Sequence, residues 1–106
     1  MDIRTIDLNL LPVLDALLRQ HSVTLAAREL DMSQSALSAA LARLRKLLGD
    51  ELFVRTGRGL LPTPRASALA EPVATILEQV RERVLHGGAF DPATARRAFR
   101  ILLSDA

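Results

Sequence analysis

Apolar residues recur at helical spacing over most of this chain. Leu37, Leu41, Leu44 and Leu48 are separated by steps of four, three and four residues, which places them on one face of a helix. A broader apolar stripe with the same period lies between positions 10 and 18. A short stretch after position 50 changes to a pattern rich in β-branched and aromatic residues. The sequence therefore predicts a mainly α-helical fold with a small β element.

Two helices joined by a tight turn are predicted between Ser22 and Gly49. Ser22 is a preferred N-cap residue for the first of them, and Leu25, Ala26, Glu29 and Leu30 form its repeat. Asp31 favours the turn, and Ser33 can accept hydrogen bonds from the free N–H groups that begin the second helix. Gly49 suits the left-handed position just past a helix end. This arrangement is a helix-turn-helix.

A further helix precedes this pair. Its expected N-cap is Asp7 or Asn9, and Pro12 falls in or just after the first turn, where the missing N–H of proline costs little. Asp15 and Arg19 stand four residues apart on the solvent side, an arrangement that stabilises a helix by roughly 0.2–0.5 kcal/mol. The chain thus begins with a predicted unit of three helices.

A β-hairpin is predicted directly after the third helix. Residues 51–55 form the first strand, 56–59 the turn and 60–62 the returning strand. Arg58 lies between two glycines at the tip, so its side chain stands clear of bulk and could enter a minor groove. Arg55, at the strand end, is better placed for a phosphate. A hairpin added to a helix-turn-helix is a wing, although an ordinary solvated turn is the alternative.

A long helix is predicted from Pro64 to about His86. Thr63 and Pro64 supply an N-cap residue and a proline at the first helical position. The glycines at positions 87 and 88 end the helix. Pro72 removes one backbone hydrogen bond inside the helix and should bend its axis.

This long helix carries more apolar surface than its own small domain needs. Its apolar positions alternate steps of three and four residues, as in a packed helix pair, and a helix of this length is ~30 Å long. We therefore expect a second copy of the chain as its partner, with folding back onto its own domain as the alternative. The residues expected at the dimer interface are Leu69, Val73, Ile76, Leu77, Val80 and Val84.

The solvent face of the helix after Ser33 is unusual. No acidic residue occurs between Met32 and Gly49, and the exposed positions carry small or neutral side chains that allow a helix to sit deep in a groove. Gln34 can offer a donor and an acceptor to a base edge, while Ser33 and the helix N-terminus can bind a phosphate. An alanine-rich helix packed against another protein helix is the alternative. The cations expected along the flanking DNA backbone are Arg43, Arg45 and Lys46.

Length and charge agree with a single DNA-binding domain and an appended element. The chain has 106 residues, of which 49% are hydrophobic, so a core can form although aromatic content is 3%. The segment from Arg28 to Arg65 contains seven Arg or Lys residues and four acidic residues. Over the whole chain Arg supplies 13 of the 14 cations, which favours bidentate phosphate or guanine contacts. There is no cysteine, signal-peptide pattern or membrane-length apolar run. A cytoplasmic protein, associated with the nucleoid, is expected.

No catalytic or metal-binding constellation is present in the sequence. The chain contains no Cys and no Tyr, its two histidines (His21 and His86) are far apart, and no glycine-rich phosphate loop follows a strand. We therefore expect no enzyme. The competing hypothesis is a winged-helix interaction module that dimerises through its long helix without sequence-specific DNA recognition.

The combination of these motifs resembles a known family. From about Leu8 to His86 the chain looks like the N-terminal DNA-binding domain and linker helix of the LysR-type transcriptional regulators. The run 49–59, followed by 62–66, is similar to the branch that includes the nodulation regulators. Residues 90–94 and 99–105 look like the entry to the effector domain of that family. The segments that carry the likeness are 25–30, 32–38, 48–49, 52–55 and 60–64, together with Leu44.

The resemblance implies a winged helix-turn-helix over residues 1–63, a linker and dimerisation helix over 64–87, and a hinge with the start of a truncated effector domain over 88–106. It also implies a homodimer, or a tetramer in the full-length protein, on an interrupted inverted repeat of double-stranded DNA. The recognition helix, 33–48, would lie in the major groove and the wing, 52–62, at the minor groove. No cofactor is expected in this fragment, since a small-molecule effector would bind the missing C-terminal domain.

The family pattern also suggests roles for individual residues. Ser33 would contact a phosphate, Gln34 a base, Arg58 the minor groove and Arg55 the backbone. Many relatives have Pro at the position of Ser35 and Arg at that of Ala39, so some recognised bases are expected to differ, with more weight on apolar contacts with thymine methyls. The predicted DNA-contacting residues are Ser33, Gln34, Ser35, Ala36, Ser38, Ala39, Arg43, Arg55 and Arg58.

Overall fold

The computed structural model describes residues 2–86. The predicted hinge and start of an effector domain at 88–106 lie outside the described residues. After a 3₁₀ turn at Ile3–Thr5, the elements follow in the order expected for a mainly α winged helix-turn-helix. They are α1 (Leu10–Gln20), α2 (Val23–Glu29), α3 (Gln34–Leu48), β1 (Phe53–Thr56), β2 (Gly59–Pro62), α4 (Pro64–Gln79) and a π-helical turn at Val80–Leu85.

Helix α1 is the centre of the fold, because α2, α3 and α4 all pack against it. Its buried face follows the predicted stripe, with Leu14 and Leu17 almost completely enclosed. Leu37 and Leu44 from α3 and Phe53 from the hairpin complete the same core. Leucine and alanine therefore fill most of the interior. The buried apolar residues in the described part of the chain are Leu10, Val13, Leu14, Ala16, Leu17, Ala26, Ala27, Leu37, Ala40, Leu41, Leu44, Leu52, Phe53, Leu60, Ala66 and Val73.

Asn9, one of the two residues predicted to begin α1, occupies its N-cap position. Neither Asp7 nor Asn9 caps the helix with its side chain. The Asp7 carboxylate accepts instead from the backbone N–H of Asn9, at 2.9 Å, and forms a turn just outside the helix. Pro12 lies in the first turn, where no intrahelical bond needs its missing N–H.

The helix-turn-helix is built by the capping residues that the sequence indicated. The Ser22 hydroxyl accepts from the N–H of Leu25 at 3.2 Å, and the Ser33 hydroxyl accepts from that of Ala36 at 3.0 Å. Asp31 adopts a left-handed conformation with φ of 55° in the turn between them. Within the predicted repeat of α2, Leu25 is 45% exposed, and the small alanines provide the buried contacts.

A surface cluster of charges ties α1 to α2. Arg19 donates to Asp15 at 2.9 Å, as predicted, and also to Glu29 at 2.8 Å. The Gln20 amide donates to Glu29 as well, at 2.8 Å. The hydrogen bonds from Arg19 and then Gln20 lower the pKa of Glu29 to about 2. The pair expected within one helix is therefore also a link between two helices.

The hairpin is shorter than predicted at its first strand. β1 and β2 pair antiparallel with Thr56 opposite Gly59, which leaves Gly57 and Arg58 as a two-residue turn. Residues 51–52 do not belong to the strand, because Leu52 turns into a left-handed conformation with φ of 65°. That conformation buries the Leu52 side chain completely and aims the strand back across the domain.

Helix α4 begins where the sequence predicted and covers its own domain with its first half. The Thr63 hydroxyl accepts from the N–H of Ala66 at 3.2 Å, and Pro64 occupies the first turn. Ala66 and Val73 are buried against the core, so folding back onto the domain is correct for this part of the helix. Pro72 lies within α4, and the helical run continues beyond Gln79 as the π-helical turn.

Candidate nucleic-acid interface

One face of α3 is open to solvent, and the opposite face forms core. Leu37, Leu41 and Leu44 are buried, whereas every position that the sequence assigned to the outer face of the first turns is exposed. No acidic residue lies on this helix. No element among residues 2–86 covers this face. The exposed residues are Ser33, Gln34, Ser35, Ala36, Ser38, Ala39, Ala42 and Arg43.

The side chain of Gln34 is held by α2. Its Nε2 donates to the Thr24 hydroxyl oxygen at 3.0 Å, across the turn that joins the two helices. Sequence analysis did not identify Thr24. Its role could have been suspected from its position two residues after the N-cap of α2. There it lies on the exposed side of a short helix whose alanines face the core. The hydrogen bond restricts the amide before any ligand is present.

A shallow cleft lies between the starts of α2 and α3 and the wing. Its volume is about 220 Å³, and its walls carry hydroxyl groups and a guanidinium group in addition to the amide of Gln34. Such donors suit the oxygens of a phosphate or sugar and the edges of bases. The polar side chains at its walls are Ser22, Thr24, Gln34, Ser38, Arg55 and Thr56.

The wing presents two cations beside this cleft. Arg58 occupies the turn at the hairpin tip, and Arg55 lies on β1, both exposed. Within residues 2–86 neither forms an ion pair with a carboxylate. Their charge is therefore available to an anionic partner.

The wing is held against the junction of α1 and α2. The N–H of Leu60 donates to the His21 carbonyl oxygen at 3.0 Å. Gly59 allows this approach, because a Cβ atom built on it would lie 2.7 Å from the same oxygen. Its φ of 119° also favours glycine. The wing position relative to α3 is thus determined by backbone contacts.

Two of the three cations expected along the flanking DNA backbone have partners in the protein. Arg45 was predicted to face phosphates, but it donates to the carbonyl oxygens of Glu51 at 2.7 Å and Phe53 at 3.0 Å. It therefore holds the entry to the wing. Arg43 is exposed and lies 3.6 Å from the Asp7 carboxylate, a weak surface pair that a phosphate could replace. Lys46 is exposed.

Asp50 was also missed by sequence analysis. Its carboxylate accepts from the N–H of Leu52 at 2.7 Å and from the Thr63 hydroxyl at 2.8 Å. The pKa of Asp50 is lowered most by the hydrogen bond from the Leu52 backbone, then by the bond from Thr63 and by the charge of Arg65. The sequence indication for this role was the residue type itself, since an Asp side chain commonly accepts from the backbone N–H two residues later. Asp50 joins the end of α3 to the start of α4.

The residues predicted at a dimer interface do not share one environment. Val73 is buried by its own domain, and Leu69 and Leu77 are partly buried against the same core. Ile76, Val80 and Val84 are exposed, by 47%, 39% and 73%. Of the six predicted residues, these three are exposed, whereas the other three are wholly or partly covered by their own domain. The neighbouring Leu85 was not predicted and is also exposed, at 66%.

The described part of the chain contains no cluster of three or more His, Cys, Asp or Glu side chains that could hold a metal ion. Within residues 2–86, no helix combines the length and apolar character needed to cross a bilayer. The chemistry available at the interface is therefore that of hydrogen-bond donors, hydroxyl groups and guanidinium groups on a protein surface.

Sequence comparison relates the chain to a family of regulators. The family described as "Bacterial regulatory helix-turn-helix protein, lysR family" matches residues 8–67. The chain is 50% identical over 105 residues to Nodulation protein D 1 of Bradyrhizobium sp. (strain NC92), covering 99% of this chain and 33% of that protein. Nodulation protein D 1 of Rhizobium meliloti (strain 1021) is also 50% identical over 99% of this chain and 34% of its own length. The chain thus spans about a third of the length of these curated relatives.

Solved structures show the same architecture. A probable transcriptional regulator from Pseudomonas aeruginosa matches with a TM-score of 0.71 and 52% identity, over 74% of this chain and 26% of that one. The BenM DNA-binding domain, in a complex with catB site 1 DNA, matches with a TM-score of 0.72 and 27% identity, over 88% of this chain and 97% of that one. These similarities confirm the predicted winged helix-turn-helix.

Proposed function

The chain belongs to the lysR family of bacterial regulatory helix-turn-helix proteins, and on this premise we propose that it is the DNA-binding part of a transcriptional regulator. The family is one of regulatory proteins and not of enzymes, as expected. The observation that carries the proposal is the exposed, acid-free face of α3 beside a wing with two unpaired arginines. A structural relative was solved as a DNA-binding domain on duplex DNA, which supports the same role here.

In the proposed complex, α3 lies in the major groove of double-stranded DNA. Gln34 at its N-terminal end contacts a base edge, and the Ser33 hydroxyl and first N–H groups of α3 lie near a phosphate. Small side chains on the exposed face permit a close approach of the helix to the bases. The remaining proposed groove residues are Ser35, Ala36, Ser38 and Ala39, with Arg43 near the flanking backbone.

The wing is proposed to contact DNA beside the recognition helix. Arg58 at the hairpin tip enters the adjacent minor groove, where a narrow A·T-rich groove attracts a guanidinium group. Arg55, closer to the domain and at the wall of the cleft, contacts a backbone phosphate. The close contact between Gly59 and the His21 carbonyl supports this arrangement, because it fixes the distance between wing and helix.

We also propose that two chains pair through the far half of the long helix. The exposed apolar side chains there are supporting observations, and they narrow the predicted interface to Ile76, Val80 and Val84. A homodimer, alone or within a tetramer, would place two α3 helices on an interrupted inverted repeat. The domain division into 1–63, 64–87 and 88–106 belongs to the same proposal. So do a small-molecule effector bound by a separate effector domain and action on the bacterial nucleoid in the cytoplasm.

Salt dependence tests the proposal directly. The affinity of the chain for duplex DNA should fall steeply and linearly in log–log form as salt rises, because each neutralised phosphate contributes a slope of about −0.9. Arg55→Ala should reduce the magnitude of the slope by about one such contact. Arg81→Ala is the matched control, since it removes an exposed cation in the π-helical turn, outside the proposed interface.

A protein–protein interaction module would behave differently in the same titration. It would show little duplex binding at low ionic strength and no systematic slope. Equal slope changes in Arg55→Ala and Arg81→Ala would show that the cations act only through overall charge, which would contradict the proposed placement of the wing.

A further inference from the structure

A hydroxyl outside the recognition helix holds the side chain that is proposed to contact a base. Thr24, near the start of α2, accepts a hydrogen bond of 3.0 Å from Nε2 of Gln34, ten residues later in the sequence. Both side chains lie at the wall of the same cleft, and both residues are exposed. The neighbouring Ser22 hydroxyl is not equivalent, because it already caps α2.

This bond determines which hydrogen-bonding groups Gln34 can still offer. A glutamine amide has two N–H donors and one carbonyl acceptor. Thr24 engages one N–H, and no other hydrogen bond is made by the Gln34 side chain among residues 2–86. One donor on Nε2 and one acceptor, Oε1, therefore remain for a ligand. Because Thr24 is β-branched, its χ1 angle is restricted to few rotamers, which limits the positions that its hydroxyl can take.

The remaining pair of groups matches one purine better than the other. In the major groove adenine presents the N7 acceptor and the N6 amino donor, whereas guanine presents two acceptors, N7 and O6. The free N–H and carbonyl oxygen of Gln34 complement adenine. At guanine the carbonyl oxygen would face O6, a second acceptor, and the N–H held by Thr24 would be missing from the contact.

We propose that Thr24 is a positioning residue that makes the base contact of Gln34 selective for adenine over guanine. The proposal rests on the function proposed above and adds the identity of the recognised base and the residue that sets it. Thr24 acts through the amide of Gln34 and need not touch the base. The opposite amide orientation would leave both N–H groups free and would favour guanine instead.

The test begins by locating the base pair that Gln34 contacts. Duplexes bound by the full chain and by Gln34→Ala are selected from a random pool, and the position whose preference depends on Gln34 is identified. Affinities are then measured for two duplexes that differ only by adenine or guanine at that position. The wild type should prefer adenine. Thr24→Val, which keeps the shape and removes the acceptor, should reduce the adenine-to-guanine ratio roughly fivefold or more.

Matched variants separate positioning from a structural effect. Thr24→Ser retains the hydroxyl and should restore most of the ratio. Thermal unfolding and the salt slope should remain unchanged in both variants, since Thr24 is exposed. A fall in affinity for the two duplexes by the same factor in Thr24→Val would mean that Thr24 contributes to general binding and would overturn the positioning role.

The remaining outcomes distinguish this inference from the proposed function. A wild-type preference for guanine, a ratio unaffected by Thr24→Val, or a Gln34→Ala variant that alters no position would overturn the role of Thr24 while sequence-selective binding stands. If the wild-type chain selects no sequence from the pool, both the proposed function and this inference fail.

Discussion

Gln34 differs from its neighbours on the exposed face of α3 in reach and in chemistry. The hydroxyls of Ser35 and Ser38 are short, and Ala36 and Ala39 carry only methyl groups, which suit contacts with thymine methyls. Among these five side chains, only the Gln34 amide extends well beyond the helix surface, and it carries a donor and an acceptor on the same carbon. Under the proposed function, discrimination by hydrogen bonding is therefore concentrated at one position near the start of the helix.

Replacing this amide should remove discrimination at one base pair. Gln34→Ala is expected to lose ~1–3 kcal/mol of preference there, because a bidentate contact to a base edge is lost while phosphate contacts remain. Affinities for duplexes carrying each of the four base pairs at that position measure the effect. Ser67→Ala, at an exposed position of α4 outside the proposed interface, is the control. Equal weakening on specific and random DNA would exclude base recognition by Gln34.

The hairpin tip should respond to the sequence that flanks the recognised bases. Arg58→Ala is expected to weaken binding most strongly when the flank is A·T-rich, because the narrow minor groove of such DNA concentrates negative potential. Arg55→Ala should weaken binding to A·T-rich and G·C-rich flanks alike, since a phosphate contact carries no sequence information. Titrations on two duplexes with different flanks measure both variants. The absence of any flank dependence for Arg58 would indicate a phosphate contact at the tip.

At the scale of elements, a few polar groups fix the path from α3 into the wing. Leu52 has a left-handed backbone, which is costly for a residue other than glycine. The N–H of Leu52 donates to the Asp50 carboxylate, and the Leu52 carbonyl accepts from the N–H of Thr63 at 2.9 Å. Arg45 holds the carbonyls on either side, those of Glu51 and Phe53. The surrounding hydrogen bonds thus maintain a conformation that Leu52 would not adopt alone.

Loss of the guanidinium at this junction should destabilise the domain. Arg45→Met leaves two backbone carbonyls without their donors and is expected to cost about 1–2 kcal/mol, reduced by the partial exposure of the site. Lys46→Met removes the same charge from an exposed neighbour and should stay within about 0.5 kcal/mol. Urea denaturation of both variants supplies the measurement. Equal midpoints would mean that Arg45 contributes no more than a surface charge.

The link between α1 and α2 makes the free energy of unfolding depend on pH. The pKa of Glu29 is about 2 in the folded protein and near its ordinary value of 4.5 in the unfolded chain. A lowered folded pKa stabilises the protein above pH 4.5, and this contribution disappears as the pH falls toward 2. Because Arg19 is half exposed, the contribution should not exceed about 1 kcal/mol.

Denaturation at several pH values tests this link. Glu29→Gln should be less stable than the wild type at pH 7, and the difference should shrink steadily from pH 4.5 toward pH 2, where about half of the wild-type carboxylate is protonated. Comparison with the variant removes the parallel contributions of other carboxylates, including Asp50, whose pKa is also lowered. A difference that stays constant from pH 7 to pH 2 would assign the effect to side-chain packing.

At the scale of the whole molecule, one end of the long helix belongs to the domain and the other does not. Val73 is enclosed in the core, but Val80 and Val84 lie beyond it with their apolar surface exposed. Burying that surface against a second chain would be favourable, by roughly 25 cal/mol per Å². The same helix can therefore close its own domain and join two domains.

A charge in the exposed stripe should prevent pairing. Val80→Glu is expected to give monomers, because a carboxylate buried in a helix–helix interface lacks a partner. Light scattering over a concentration series measures the mass. Leu25→Glu is the control, since it charges an apolar side chain that is 45% exposed on α2, outside the stripe. A persistent Val80→Glu dimer would move the interface elsewhere.

Local patterns were sufficient to predict the elements and most of their boundaries. Ser22, Ser33 and Thr63 cap helices as expected, and Gly49 ends α3 in the left-handed conformation. These features depend on a residue and its neighbours within three or four positions, so sequence spacing contains them. The family resemblance pointed to the same fold, and the comparisons confirm it.

The sequence by itself thus determined the fold, the exposed acid-free face of α3 and the cationic wing, because helical periodicity and turn chemistry are local properties. Tertiary structure alone decided that Arg45 holds the wing, that Val73 faces its own core, and that Thr24 engages the amide of Gln34. Each of these depends on which groups meet after the chain has packed. An arginine or a valine has the same local pattern whether its partner is a phosphate, a carbonyl or another chain, so only three-dimensional contacts distinguish these roles.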